Sequence, residues 1–284
     1  MQDLKALLEH HYNARNTEFE LSLDKPDPLF ALKKAIDEKC EFIDEIAVLC
    51  ALLAYGNAGQ ILKTLLKLDF RLLGDKKAIL AHKFPYYRFQ SSEDIKMLFL
   101  ALSEIIARGG IKSVFVKAYK KAKLDSANST NIAESSAICG INAMICALDS
   151  AILSQTLHLQ NLARKSQNLA ESSPTKGLKF LIGQKAHSAH AHSPLKRWNL
   201  FLRWMVRKDN IDLGLWSDEV ACKDLILPLD THTFRLSQKL GLLKRKSYDL
   251  RSALEITANL AQFCENDPVK YDFALYRLGQ ERIM

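Results

Sequence analysis

The sequence is poor in the residues that interrupt helices, with only 11 glycines and 7 prolines in 284 residues. It shows no convincing pair of alternating strands and no internal repeat. No stretch reaches the roughly 18 uninterrupted apolar residues of a membrane span. The start, Met1-Gln2-Asp3-Leu4-Lys5, is polar and leads into an amphipathic pattern, unlike a secretory leader. No Cys-x-x-Cys pair occurs among Cys40, Cys50, Cys139, Cys146, Cys222 and Cys264. Their neighbours are mostly apolar, which predicts reduced thiols in or near a core, no cysteine-built metal site and a cytoplasmic protein.

What remains is an ordinary globular composition, 48% hydrophobic and 25% charged. The predicted fold class is all-α, with a length that suits one large helical domain over residues 1–284 or two small ones sharing a core. Forty basic against 32 acidic residues give a net charge of +8. Such an excess points to a polyanionic partner only where it gathers beside a candidate site.

Residues 1–23 read as a helix, closed by the Asp24-Lys25-Pro26-Asp27-Pro28 turn. Asp44 is a candidate cap for the run from Glu45 to Tyr55, which is apolar nearly all round and therefore predicts a central core helix. Tyr55-Gly56-Asn57 ends it. Phe84 to Phe89 form an aromatic, basic loop, and Ser91-Ser92-Glu93-Asp94 starts the next helix. Gly109-Gly110 breaks that helix, a further one covers Ile111 to Leu124, and residues 132–162 are helical in one or two pieces. Residues 164–194, rich in Ser, Gln, Lys, Gly and His, read as a loop or hinge. Ser193-Pro194 suits the start of a strong helix, whose Trp198, Phe201, Leu202 and Met205 form one apolar stripe. Asp230 or Thr231 can cap a helix reaching Gly241, and two more helices follow, over residues 249–263 and 267–278.

Two local features carry candidate chemistry. Leu227-Pro228-Leu229-Asp230-Thr231-His232 places one carboxylate at a helix start behind an apolar segment, either as a cap or as a group aimed into a cleft. With Ser193 as N-cap, Lys196 occupies the third helical position, where the electropositive helix start disfavours an ammonium. Such a lysine is either a mildly unfavourable surface residue or a neutral amine, which is a nucleophile. Lys196, Arg197, Arg203, Arg207 and Lys208 crowd the same helix, mostly off its apolar stripe. A third cluster, His187, His190 and His192, suits a metal poorly by spacing and reads as a polar loop, so no metal or cofactor is expected. A metal-dependent hydrolase using these histidines with Asp230 or His232 is the rival enzymatic reading.

A helix opening with lysine, a loop, and then an apolar-Pro-apolar-Asp-Thr-His helix start resembles the helix-hairpin-helix DNA glycosylase superfamily, to which endonuclease III belongs. Over most of its length the chain resembles the bacterial family known as domain of unknown function 2400. The residues that carry this resemblance are Leu53 to Asn57, Tyr87-Arg88-Phe89, Lys196 to Lys208, Pro228 to His232 and Asp267 to Leu275. The stretch from Leu181 to His192 is longer than the glycosylase hairpin and lacks its second glycine, and the C-terminal four-cysteine cluster of endonuclease III is missing.

The glycosylase resemblance implies a two-subdomain helical fold and base-excision repair of damaged duplex DNA, with or without a lyase step. It makes Lys196 the nucleophile, ahead of Lys208, and Asp230 the group that stabilises the cationic sugar. It places Asn57 near the wedge that fills the vacated base stack. Tyr86, Tyr87 and Phe89 would stack on a base and Arg88 would hold phosphate, with Arg197, Arg203, Arg207, Lys208 and His232 completing the DNA contacts. The alternative is a helical module that binds nucleic acid without this chemistry.

Overall fold

The computed structural model describes residues 2–127, 135–165, 175–187 and 193–281. Among these the chain forms thirteen α-helices and three short 3-10 turns, with no strand beyond two isolated bridges. The all-α expectation holds. The chain divides into two units, one of Met1–Pro26, Tyr119–Cys139 and Ala186–Met284, the other of Asp27–Ala118 and Gly140–Lys185.

The Asp27–Ala118/Gly140–Lys185 unit is built around α3 (Ile43–Leu52), whose residues from Glu45 to Leu52 are all buried. The all-round apolar run therefore marks the core helix as expected. It starts differently, however. Phe42, in the left-handed region at φ 59°, is the residue before the helix, and Asp44 lies inside its first turn. Helix α2 (Pro28–Asp37), capped by Asp27, packs against α3 and against α4 (Ala58–Leu65), which is capped by Asn57. Next come α5 (Lys76–Ala81) and α6 (Ser92–Ala107), the latter opened by a capping box between Ser91 and Asp94.

Two long helices, α7 (Gly110–Ala127) and α8 (Ser136–Lys165), follow and run on past the unit boundary. Residues 136–165 form one helix rather than two pieces, and residue 132 lies outside the described residues. By length and composition, Ser136–Asn161 of α8 is apolar enough to cross a membrane, with mean hydropathy 1.7, yet half of it is buried inside the protein. Counting uninterrupted apolar residues passes over it because Asn142 and Asp149 break the run.

The segment expected to be a loop contains α9 (Lys176–Ile182), capped by Thr175, with Leu178, Leu181 and Ile182 buried. Seven residues are too few for helical periodicity to show in a sequence dominated by small polar groups.

The other unit contains α1 (Gln2–Arg15), α10 (Lys196–Val206), α11 (Thr231–Lys239), α12 (Leu250–Ala261) and α13 (Asp272–Glu281). The N-terminal helix is shorter than residues 1–23, ending at Arg15 before a 3-10 turn over Glu18–Glu20. Helix α13 packs against α1 and α11. Trp204 and Trp216 are fully buried, and Phe201 meets Trp216 edge-on at 5.1 Å. All six cysteines are free thiols, Cys50 being fully buried.

Candidate active site

Helix α10 begins at Lys196, not at Pro194, and Ser193 does not cap it. Leu195 takes the left-handed conformation at φ 52° just before the helix. For a residue with a side chain this backbone costs about 1–2 kcal/mol and persists only where the surroundings hold it. Two anchors do so. The Leu195 side chain is buried, and the Asn199 amide donates to the Pro194 carbonyl at 3.1 Å. Lys196 thus occupies the first helical position.

The carboxylate opposite arrives on a buried extended segment, Leu225 to Asp230. The Leu227 amide donates to Thr257 Oγ1 at 3.0 Å, and the Tyr248 hydroxyl donates to the Leu229 carbonyl at 2.7 Å. Asp230 then caps α11, its Oδ1 accepting from the Thr233 amide at 2.7 Å. Its Oδ2 faces Lys196 Nζ at 3.9 Å. The lysine side chain is 33% exposed and that of the aspartate 10%. One carboxylate therefore does both things the sequence allowed, with one oxygen holding a helix start and the other facing an accessible amine.

Two more groups, Tyr248 and Asp272, feel the Asp230 charge, and nothing in the sequence gave either of them a place at this site. Burial, and then the Asp230 charge, push the Tyr248 phenol above its usual range. Asp272 is also close enough to feel Asp230; burial raises its carboxyl to about 6 even though Arg203 pulls it down. Tyr248 stands in no recognisable motif, and Asp272, though inside the family-like Asp267–Leu275 segment, comes under the influence of the Asp230 charge only through folding.

The basic face expected on α10 divides in two. Arg203 and Arg207 are each 3% exposed. Arg203 donates from Nη1 to Asp272 at 2.6 Å and from Nε to Asp212 at 3.2 Å. Arg207 pairs with Asp212, with Asp209 at 3.0 Å and with Asp267 at 2.9 Å. Burial works against the Arg207 charge, but Asp212, Asp267 and Asp209 outweigh it and hold the guanidinium protonated. The same guanidinium keeps Asp209 below its usual range against the effect of burial. These two arginines are thus internal counter-ions rather than DNA contacts. Charged groups this deep are kept inside only by such partners.

Arg197 is partly exposed and Lys208 is exposed, Lys208 lying just past the far end of α10. His232 is exposed, with Nδ1 3.2 Å from the Gly279 carbonyl. Asn57, Tyr87 and Arg88 belong to the other unit. Asn57 is exposed and caps α4. Tyr87 is buried, its hydroxyl donating to the Tyr55 carbonyl at 2.5 Å, so it presents no face for a base. Arg88 is exposed. Of the three histidines, His187 is exposed, while His190 and His192 lie outside the described residues. Among the described residues no group of three or more His, Cys, Asp or Glu stands close enough to hold a metal ion.

An all-α chain that sets a lysine and a capping aspartate against each other at two helix starts is the class that fold and site define. The chain belongs to the family described as protein of unknown function DUF2400, whose model matches residues 27–281. No curated protein and no solved structure matches the chain.

Proposed function

We propose that this protein is an intracellular DNA base-excision glycosylase with an associated lyase step, acting on damaged duplex DNA. The observation that carries the proposal is the 3.9 Å approach of Lys196 Nζ to Asp230 Oδ2, with Oδ1 already committed to the helix cap. The resemblance of the Lys196 and Asp230 segments to the helix-hairpin-helix glycosylases supports it.

In this reading a damaged nucleotide is flipped out of the duplex so that its C1′ meets the amine. The lone pair of the Lys196 amine forms a bond to C1′ while the glycosidic bond breaks. The departing base keeps that electron pair and takes up a proton. Asp230 Oδ2 stabilises the positive charge that grows on the sugar and accepts the proton released by the amine. Ring opening, in which O4′ takes that proton back from Asp230, leaves a protonated Schiff base between Lys196 and the sugar. Transfer of a C2′ proton to Asp230 then expels the 3′ phosphate and cuts the strand.

The test is incubation with duplex oligonucleotides bearing oxidised bases or an abasic site, scored for base release and strand cleavage. The proposal expects cleavage of at least one of these substrates and its loss in Lys196→Ala. Salt-dependent binding with no base release and no cleavage on any of them would leave a non-catalytic nucleic-acid-binding protein instead.

A further inference from the structure

In the Asp27–Ala118/Gly140–Lys185 unit, three aromatic rings gather on the surface. Tyr55 and Phe89 lie nearly parallel, 14° apart in plane and 6.3 Å between centroids. Phe180 of α9 stands edge-on to both, at 5.1 Å and 5.6 Å. Phe89 is 61% exposed and Phe180 46%, so two adjacent rings keep apolar surface in water. The Arg88 guanidinium lies 5.3 Å from the Tyr55 ring and 5.5 Å from Phe89, within cation–π range.

This surface is held from beneath. Tyr87 and Gln90 exchange backbone hydrogen bonds at 3.0 Å and 2.8 Å, closing a tight turn whose tip is Arg88 and Phe89. Arg88 sits there in the left-handed region, at φ 52°. Gln90 is fully buried, donating to the Gly177 carbonyl at 2.9 Å and accepting from the Tyr55 hydroxyl. A Cβ on Gly56 would overlap Arg88 Nη1, and one on Gly177 would overlap the Phe89 carbonyl oxygen. Buried polar anchors, two bare glycines and a strained turn thus fix one cation and one ring outward. Strain of that kind, kept in place by its surroundings, characterises binding sites. Lys176 and Lys179 are exposed on the helix that carries Phe180.

We propose that Phe89, Phe180 and Arg88 form a stacking platform for the unpaired bases of a single-stranded nucleic acid, with Lys176 and Lys179 along its phosphates. Exposed aromatic residues beside cations fit this partner. Bases stack on aromatic rings whatever their sequence, and the backbone supplies the complementary charge. The platform is independent of the lysine chemistry and binds undamaged strands.

The experiment uses the full chain carrying Lys196→Ala, so that no covalent step contributes. Fluorescence anisotropy would follow binding of a 12-nucleotide single strand in deoxy and ribo form, its duplex, and a phosphodiester 12-mer lacking bases. The single strand is expected to bind more tightly than both the duplex and the baseless backbone, the deoxy and ribo forms showing which sugar is preferred. Phe89→Ala and Phe180→Ala should each weaken single-strand binding about tenfold with an unchanged salt slope. Phe89→Leu keeps the apolar bulk without the π-face and should bind as weakly as Phe89→Ala. Arg88→Ala should lower the salt slope by about one. Circular dichroism melts would verify that each variant is folded, which the exposure of both rings favours. Equal binding of the strand and the baseless backbone, or wild-type affinity in Phe89→Ala and Phe180→Ala, would overturn the platform and leave the Lys196–Asp230 proposal untouched.

Discussion

Arg203→Met removes a buried guanidinium while nearly keeping its length. Arg203 is 3% exposed and joins Asp272 at 2.6 Å to Asp212 at 3.2 Å. Breaking a buried ion pair from one side typically costs about 3–5 kcal/mol, because the remaining charge is left without compensation. Here two carboxylates lose a partner, and Asp272 Oδ1 already has none. The expected loss is therefore about 4 kcal/mol, a fall in melting temperature of roughly 10 °C at about 2–4 °C per kcal/mol. Lys196→Met is the contrast. It loses a single 3.9 Å contact from a side chain one-third exposed, which should change stability by less than about 1 kcal/mol. Urea unfolding followed by circular dichroism measures both. Adding Asp272→Leu to Arg203→Met should recover part of the loss, since the inward charge goes with its partner. If Arg203→Met leaves stability unchanged and instead lowers the salt dependence of DNA binding, the guanidinium faces phosphate and the network is misassigned.

Three more outcomes follow from named contacts. The Asp272 carboxyl, raised by burial to about 6 from 3.8, keeps in the folded state a proton that the unfolded chain has released. Stability relative to Asp272→Asn should therefore fall as pH rises from about 4 to 6, by up to about 3 kcal/mol at 1.36 kcal/mol per pH unit, and then level off; parallel pH profiles would contradict this. Asp230→Asn keeps an oxygen to cap α11 but loses the charge, so it should stay within about 1 kcal/mol of wild-type stability while strand cleavage drops about 100-fold or more. Asp230→Ala should add about 1 kcal/mol of destabilisation for the lost cap. A Cβ on Gly140 would strike the ring of fully buried Phe115, so Gly140→Ala should destabilise by about 1–2 kcal/mol despite the better helix former, read as a lower urea midpoint.

Features set by neighbours in sequence were legible before the structure. The apolar run Ile46 to Leu53 marked the core helix, Ser91 to Asp94 marked a helix start, and Asp230 marked a cap. Features set by distant partners were not. Arg203 and Arg207 look like a solvated basic face because Asp272 and Asp267 lie 69 and 60 residues away, and because the turn that folds the nearby Asp209 and Asp212 back onto them is not marked in the sequence. The left-handed start at Leu195 depends on the burial of its side chain and on an amide four residues later. Phe180 gave no signal at all, since its helix is seven residues long inside a polar stretch. The helix starts drew attention to Lys196 and Asp230, and the resemblance to the glycosylases paired them as one site. Their 3.9 Å approach is a property of the fold, since 34 residues separate them along the chain.

The pairing of Lys196 with Asp230 is tested most directly by borohydride reduction during turnover, followed by peptide mass mapping of the trapped protein. Reduction converts a Schiff base between amine and sugar into a stable secondary amine. A lysine nucleophile at this site gives a protein–DNA adduct on a damaged or abasic duplex, a sugar-derived mass on the peptide containing Lys196, and loss of the adduct in Lys196→Ala. An adduct mapped to Lys208 or persisting in Lys196→Ala, or no adduct with any lesion, would contradict it.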